Sequence, residues 1–372
     1  MDTALTRRTL MRRAGTGLAA AAAGSALWPA APAFGAAPRA PIATRSQITG
    51  PLTLQMQAIA DAAQMGHALP IQTLSAENAR AQPSPRDAVE AVLAQQNGPH
   101  IVEPVGNVQH ITFPGPGGTI LARVYTPAVP GPYPVMVYFH GGGWVVYNLD
   151  TYDTSCRALC NAAGAVVISV NYRLAPEHKF PAAAEDAYAA TQWAIANAAA
   201  FGGLPSRVAV VGESAGGNLA AVAALLSRDR HGAMPNHQVL VYPITNYAFN
   251  TPSYLQNAVD APFLTRAAMV WFWQQYLRTP ADGANPYASP LRAPSLSGLP
   301  PATIINGNDD VLRSDGEEYA ARLRLAGVPT TRTLYTGVSH EFFSMSVALL
   351  PARLAVAEAA GAIRGAAPTG NG

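Results

Sequence analysis

Charged side chains are scarce in this chain of 372 residues, at 12%, whereas hydrophobic residues make up 49%. This balance suits a folded globular protein and argues against a disordered one, which carries many charges and few apolar residues. Lysine occurs once, at Lys179, so nearly all of the 24 basic residues are arginines. The net charge is only +2 and the sequence contains no basic stripe, so we expect no nucleic-acid partner.

Cysteine is equally scarce, with only Cys156 and Cys160 in the sequence. Two cysteines cannot form a disulfide framework, and with no further ligands nearby we expect no metal site. In a helix they would lie one turn apart on one face, where regular geometry does not favour a disulfide. We interpret both as small buried apolar side chains, and a strained bridge stays open as the alternative.

The sequence also lacks an apolar run long enough to span a bilayer, since the stretch 15–28 is short and rich in alanine and glycine. That stretch follows the twin arginines Arg7 and Arg8 and precedes small residues at 31–33. This order predicts a signal peptide of the Tat type over residues 1–33. We therefore expect an exported protein, periplasmic or secreted, with no stable membrane insertion after signal removal; the alternative is a disordered or amphipathic arm.

Downstream of a flexible lead-in at 34–50, a helical pattern covers most of 52–96 and then gives way to alternating strands and helices. The predicted strands are 120–125, 134–139, 166–170, 207–211, 238–242, 302–306 and 331–335. The predicted helices between and after them are 153–163, 182–199, 215–228, 314–326 and 352–363. Continuous apolar strands that alternate with helices predict an α/β fold with a mostly parallel central sheet flanked by helices. Such sheets hold their chemistry at the carboxyl ends of the strands.

A candidate nucleophile follows the strand 207–211. Gly212-Glu213-Ser214-Ala215-Gly216 matches the G-x-S-x-G pattern, and a predicted helix opens directly after it. A sharp turn between strand and helix pushes the serine hydroxyl out at the top of the sheet. This context favours Ser214 as a nucleophile over a plain turn.

Two further segments could assist such a serine. Gly141 and Gly142 follow the strand 134–139, and glycines let backbone N–H groups approach a substrate closely. With the N–H of Ala215 they are our candidates for an oxyanion hole, the set of donors that stabilises a developing negative oxygen. His340, which follows the last predicted strand, is the one of eight histidines that lies where a general base belongs.

The acid that orients the imidazole should follow the strand 302–306. Asp309 and Asp310 both lie there, and the residues alone leave the choice between them open. Either one completes the chain order serine, acid, histidine that this fold uses.

Together these motifs resemble the hormone-sensitive-lipase-like family of α/β-hydrolases, the bacterial family IV esterases. The matching segments are 140–144, 172–178, 180–183, 185–186 and 212–217, within a resemblance that covers roughly 107–363. The resemblance implies an esterase without a cofactor. Leu312 and Arg313 align with the family's Asp-Pro-Leu-Arg-Asp pattern, which makes Asp310 the acid although Val311 replaces the proline.

The resemblance also implies a helical cap, made of N-terminal helices at 51–97 and an insertion near 244–280 of the catalytic domain 98–372. Several aromatic residues of the insertion should pack the cap on the core, and Trp144 should line the substrate pocket beside one or two of them. Glu341 stands where the family often has glycine after the histidine. Such a carboxylate could raise the pKa of the base or contact substrate; the interpretation we favour is a side chain that points to solvent.

The sequence thus predicts a serine carboxylesterase that hydrolyses short- to medium-chain esters, with a small-molecule ester as its partner. One alternative is a non-catalytic ligand receptor on this fold, although such receptors lack the histidine that is present here. Another is an amidase, peptidase or acyltransferase with the same triad, which fold analogy cannot separate from an esterase. A homodimer is also left open.

Overall fold

An eight-stranded sheet forms the centre of the computed structural model, which describes residues 52–66, 68–97, 102–257 and 261–369. The predicted signal peptide 1–33 and the lead-in 34–50 lie outside the described residues. In chain order the strands are β1 (Asn107–Gly115), β2 (Gly118–Thr126), β3 (Tyr133–Phe139), β4 (Val166–Asn171), β5 (Gly203–Glu213), β6 (Gln238–Val241), β7 (Ala302–Asp309) and β8 (Thr330–Ser339).

Their spatial order is β1-β2-β4-β3-β5-β6-β7-β8. The pairs β1–β2 and β2–β4 are antiparallel, and every pair from β4–β3 to β7–β8 is parallel. The carboxyl ends of β3, β5, β7 and β8 therefore meet at one edge of the sheet. The predicted mostly parallel α/β sheet is confirmed.

Among the strands of the described sheet, β1 is the one that the apolar pattern did not predict. It pairs with β2 through a tight hairpin at the edge of the sheet, and most of its side chains are exposed or half-buried. The central strands, by contrast, are buried on both faces, as in β3, where the six residues from Pro134 to Phe139 are all buried. An edge strand buries little surface, so its sequence carries little hydrophobic pattern.

Helices cover both faces of the sheet. They are α1 (Leu54–Met65), α2 (Ala76–Arg80), α3 (Pro85–Asn97), α4 (Asp153–Ala163), α5 (Ala182–Asn197), α6 (Ala215–Asp229), α7 (Pro252–Gln256), α8 (Arg266–Tyr276), α9 (Arg313–Leu325) and α10 (Leu350–Gly365). Helices α5, α6 and α9 share one hydrophobic core with one face of the sheet, and α4 and α10 share a second core with the other face.

The two segments assigned to a cap contact the core and each other. Trp271 on α8 donates its indole N–H to the carbonyl oxygen of Leu74 at 3.2 Å, and the ring of Phe272 packs directly against Gly143. Pro85 is the first residue of α3, where the missing N–H of proline costs nothing. Their function as a cap stays a prediction.

Cys156 and Cys160 lie one turn apart on α4, and both are buried and free. They pack in the core between α4 and the sheet, in agreement with their interpretation as small apolar side chains. None of the helices in the described ranges is long and apolar enough to cross a membrane.

Candidate active site

The candidate nucleophile occupies a tight turn between β5 and α6. Ser214 has φ 57° and ψ −117°, a strained conformation for a residue with a side chain. Its neighbours must be small, because a Cβ at Gly212 would collide with the carbonyl of Gly216, and a Cβ at Gly216 with the carbonyl of Phe139. The G-x-S-x-G spacing thus has a steric reason in this fold.

Three predicted residues from three separate loops meet here. His340 follows β8 directly, and its Nε2 lies 3.0 Å from the hydroxyl oxygen of Ser214. Its Nδ1 lies 2.7 Å from Oδ2 of Asp310, which follows β7. All three residues are almost fully buried. The arrangement can pass a proton from the serine hydroxyl to an imidazole that a carboxylate holds in place.

The structure separates the two candidate acids. Asp310 is fully buried, and its Oδ1 accepts the backbone N–H of Leu312 at 2.8 Å, which fixes the carboxylate towards the histidine. Asp309 is half-buried, and its Oδ1 accepts the side-chain amide of Asn308 at 3.2 Å. Asp310, the predicted acid, is the one of the two that contacts His340.

The pKa of His340 reflects opposing effects. Burial alone would lower it, because the charged imidazolium is poorly solvated in the interior. The negative charge of Asp310 and its hydrogen bond outweigh burial, with smaller contributions from Glu341 and Glu213, so the pKa of His340 is raised above its ordinary value of 6.5. Carboxylates around the ring therefore favour its protonated form.

The glycine loop after β3 packs against the turn that carries Ser214, since a Cβ at Gly216 would collide with the carbonyls of Phe139 and His140. Gly142 has φ 98°, and a Cβ there would collide with the carbonyl of Val146. In the described part of the chain, the N–H groups of Gly141, Gly142 and Ala215 donate no hydrogen bond to another protein group. They are free for an oxyanion, in keeping with their predicted role.

His140 holds the glycine loop in place. It is fully buried, its Nδ1 lies 2.8 Å from the carbonyl oxygen of Gly141, and its ring stacks on Tyr172 at 4.4 Å between centroids. The hydroxyl of Tyr172 donates to the carbonyl oxygen of His140 at 2.9 Å. Burial lowers the pKa of His140 to about 4, so this imidazole is neutral at neutral pH.

One buried carboxylate beside the triad, that of Glu213, had no assigned role in the sequence. Glu213, directly before Ser214, accepts hydrogen bonds from the hydroxyls of Tyr138 and, at 2.5 Å, Tyr242. Burial, helped by the charge of Glu341, raises the pKa of Glu213 to about 7. The available signal was the buried strand itself, since β5 is buried without interruption from Val208 to Glu213.

The expectation that Glu341 points to solvent is wrong. Its side chain is only 5% exposed, and its Oε2 accepts the hydroxyl of Tyr152 at 2.9 Å. The available signal was the position itself: the resemblance puts glycine there, and the backbone φ of 65° is one that glycine adopts without strain.

Trp144 differs from its predicted place on a pocket wall. It has no exposed surface, and its ring stacks on Tyr276 at 4.0 Å and lies 4.8 Å from Trp273. A large aromatic ring gains more from this packing than from partial exposure. Trp144 therefore packs the glycine loop against α8.

A cavity of about 580 Å³ lies beside the glycine loop. It is lined by Arg80, Gln82, Ser84, Asp87, Tyr147, Asn148, Thr151, Leu174, Glu177 and His178. The ring of Tyr147 also packs on Gly142, so one side chain contributes to both the cavity wall and the candidate oxyanion loop. Among the described residues, no group of three or more His, Cys, Asp or Glu side chains is placed to hold a metal ion.

Comparisons with known proteins agree with the fold. A family model for the alpha/beta hydrolase fold matches residues 136–344. The chain is 44% identical over 266 residues to the carboxylic ester hydrolase LipN of Mycobacterium tuberculosis, which covers 70% of each chain. It is 36% identical over 298 residues to an ethyl acetate hydrolase of Pseudomonas putida, across 79% of this chain and 91% of that one.

Solved structures give the same result. An esterase of Pyrobaculum calidifontis superimposes with a TM-score of 0.74 at 39% identity, over 84% of this chain and 98% of that chain. A thermostable esterase from Pseudomonas putida superimposes with a TM-score of 0.76 at 35% identity, over 86% and 98%. The chain belongs to the α/β-hydrolase family, in its hormone-sensitive-lipase-like branch.

Proposed function

We propose that this α/β-hydrolase is a serine carboxylesterase that cleaves short- to medium-chain esters through an acyl-enzyme on Ser214. One observation carries the proposal: hydrogen-bond distances of 3.0 Å and 2.7 Å connect Ser214, His340 and Asp310 in an unbroken series. The serine has a base within hydrogen-bond distance, and the base has a carboxylate that stabilises its charged form.

The first step forms the acyl-enzyme. His340 takes the hydroxyl proton on Nε2 while the oxygen of Ser214 attacks the ester carbonyl, and Asp310 stabilises the resulting imidazolium. The imidazolium then gives this proton to the departing alcohol. In the second step water attacks the acyl-enzyme, and His340 acts again as base and then as acid.

The oxyanion hole stabilises the tetrahedral intermediates of both steps. We assign it to the N–H groups of Gly141, Gly142 and Ala215, the last of which lies at the positive end of the α6 dipole. Each such donor typically contributes about 3–4 kcal/mol to the transition state.

The ester class rests on the relatives, whose names are carboxylic ester hydrolase, ethyl acetate hydrolase and esterase. The acetate ester in one of these names supports short acyl chains for this chain as well. An amidase or acyltransferase would share the same triad, so products must be analysed with an amide substrate and with an alcohol acceptor present.

The test is hydrolysis of a p-nitrophenyl ester series from acetate upward, with Ser214→Ala as the inactive variant. Removal of the nucleophile should lower kcat by about a millionfold. Ser227→Ala is the matched control, since Ser227 is a buried serine near the far end of the same helix. A Ser214→Ala protein that keeps most of its activity, or a wild type that a fluorophosphonate leaves unlabelled at Ser214, would refute the proposal.

We also propose that the segments 51–97 and 244–280 form a cap over the site. A second assignment concerns residues 1–33, which we propose direct export by the twin-arginine pathway. Replacement of Arg7 and Arg8 by lysine should retain the precursor in the cytoplasm, as cell fractionation would measure. Export of the doubly substituted precursor at the normal rate would contradict the second of these assignments.

A further inference from the structure

Glu341 places a second carboxylate beside the base. Its Oε1 lies 3.9 Å from Nε2 of His340, the ring nitrogen that faces Ser214. Its Oε2 accepts the hydroxyl of Tyr152 at 2.9 Å, and both side chains are buried. Asp310 and Glu341 therefore approach the two nitrogens of one imidazole.

The backbone at this position has an unusual conformation for a glutamate. Glu341 has φ 65° and ψ 0°, a left-handed conformation that is unstrained in glycine and costs other residues free energy. Burial of the carboxylate adds a second cost, and it raises the pKa of Glu341. A residue that keeps two unfavourable features beside a reaction centre is a candidate for a role in the reaction.

We propose that Glu341 is a positioning residue for His340: its carboxylate, held by Tyr152, stabilises the imidazolium that forms when Ser214 attacks the ester. The inference rests on the proposed function and assigns a role that the triad itself does not include. Glu341 does not take the proton, because 3.9 Å is too long for a hydrogen bond.

Positive charge develops on the imidazole of His340 during the attack. The proton moves from the hydroxyl oxygen of Ser214 to Nε2, and the oxygen's electron pair forms the bond to the carbonyl carbon. Nε2 then carries positive charge next to Oε1 of Glu341, in an interior where charges interact more strongly than in water. Because this attraction is absent from the neutral ground state, it accelerates the step.

Tyr152 also connects the carboxylate to the candidate oxyanion loop. A Cβ at Gly141 would collide with the hydroxyl of Tyr152, so this hydroxyl packs directly under the loop while it donates to Glu341. The base and the oxyanion donors are thereby positioned against one shared side chain.

Other ionisable groups surround His340 and Glu341, and their titration affects the interpretation of any pH profile. The groups that act on His340 or Glu341 from neighbouring elements are Asp310, Glu213, Tyr147, Tyr152, Tyr172 and Tyr242. Burial raises the pKa of each of these tyrosines, so they stay neutral across the working range. The imidazole thus interacts with three carboxylates, from Asp310, Glu213 and Glu341.

The test is the pH dependence of kcat/KM in Glu341→Gln, which removes the charge and keeps an oxygen for Tyr152. Loss of the charge should lower the pKa of His340, so the acidic limb should move to lower pH by about one unit. The plateau value of kcat should fall by up to about tenfold, because the free energy of one pKa unit corresponds to a tenfold change in rate. A matched control is Glu358→Gln, because Glu358 also accepts a tyrosine hydroxyl at 2.9 Å, from Tyr335, away from the triad.

A second variant, Glu341→Gly, removes the carboxylate and the backbone strain together. It should show the same shift of the acidic limb, and an NMR titration of the His340 ring should give the same direction. A fall in kcat with an unmoved limb would mean a structural role only and would overturn the inference, as would wild-type values in both variants. If the wild-type enzyme itself cleaves no ester, the proposed function fails instead, so the two failures are distinguishable.

Discussion

Replacement of Asp310 by asparagine would remove the charge that orients His340 and keep the size of the side chain. In the wild type, Oδ2 of Asp310 accepts a hydrogen bond from the Nδ1–H of His340. The ring proton therefore stays on Nδ1, and Nε2 is free to accept from Ser214. An asparagine amide can instead donate to Nδ1 and move the ring proton to Nε2. In that tautomer the imidazole cannot act as a base.

The expected loss of kcat follows from the distance between the carboxylate of Asp310 and the imidazole of His340. At 2.7 Å and with an effective dielectric constant of about 20, a carboxylate and an imidazolium attract each other by about 6 kcal/mol. Because the imidazolium exists only after proton transfer, this attraction stabilises the transition state more than the ground state. It corresponds to a loss of kcat on the order of ten-thousandfold.

The assay is steady-state hydrolysis of p-nitrophenyl butyrate by Asp310→Asn, with Asp309→Asn as its matched control. Asp309 lies one residue away and hydrogen-bonds Asn308, so its variant should stay within about threefold of the wild type. Loss of activity in Asp309→Asn with a normal rate in Asp310→Asn would refute the assignment. Thermal unfolding of both proteins would exclude misfolding as the cause.

Further predictions concern the buried carboxylate and the glycine loop. The pKa of Glu213 is about 7 in the folded chain, so the native state retains a proton that the unfolded state releases above pH 4.5. Between pH 4.5 and pH 7 the wild type should therefore lose about 3 kcal/mol more stability than Glu213→Gln does; parallel slopes in urea unfolding would contradict this. Gly142→Ala should lower kcat about a hundredfold or more, because its Cβ would displace the loop. Gly164→Ala controls for positive φ alone, since its Cβ would meet no atom, and an equal loss of activity there would refute the steric argument.

Local patterns were enough for the fold class and for two residues of the site. The apolar strands are buried on both faces because helices cover the sheet, and that burial leaves a continuous hydrophobic run in the sequence. Ser214 directly follows such a strand, and His340 directly follows the edge strand β8, so their place at the carboxyl edge could be predicted. The turn at Ser214 also needs small neighbours, which makes its motif specific.

Neighbours distant in sequence decided the rest. Asp309 and Asp310 are adjacent, and successive side chains point to opposite sides of an extended chain. The resemblance favoured Asp310, but its contact with His340 is visible only in the structure. Trp144 is buried because α8 packs over it.

The burial of Glu341 has the same kind of cause. Its partner Tyr152 lies 189 residues earlier in the chain, and no local pattern could reveal that contact. The sequence by itself determined which elements form and where their chemistry is displayed, because periodicity and turn geometry are local properties. Tertiary structure alone decided which further carboxylates are buried beside the base, because burial depends on segments that meet only after folding.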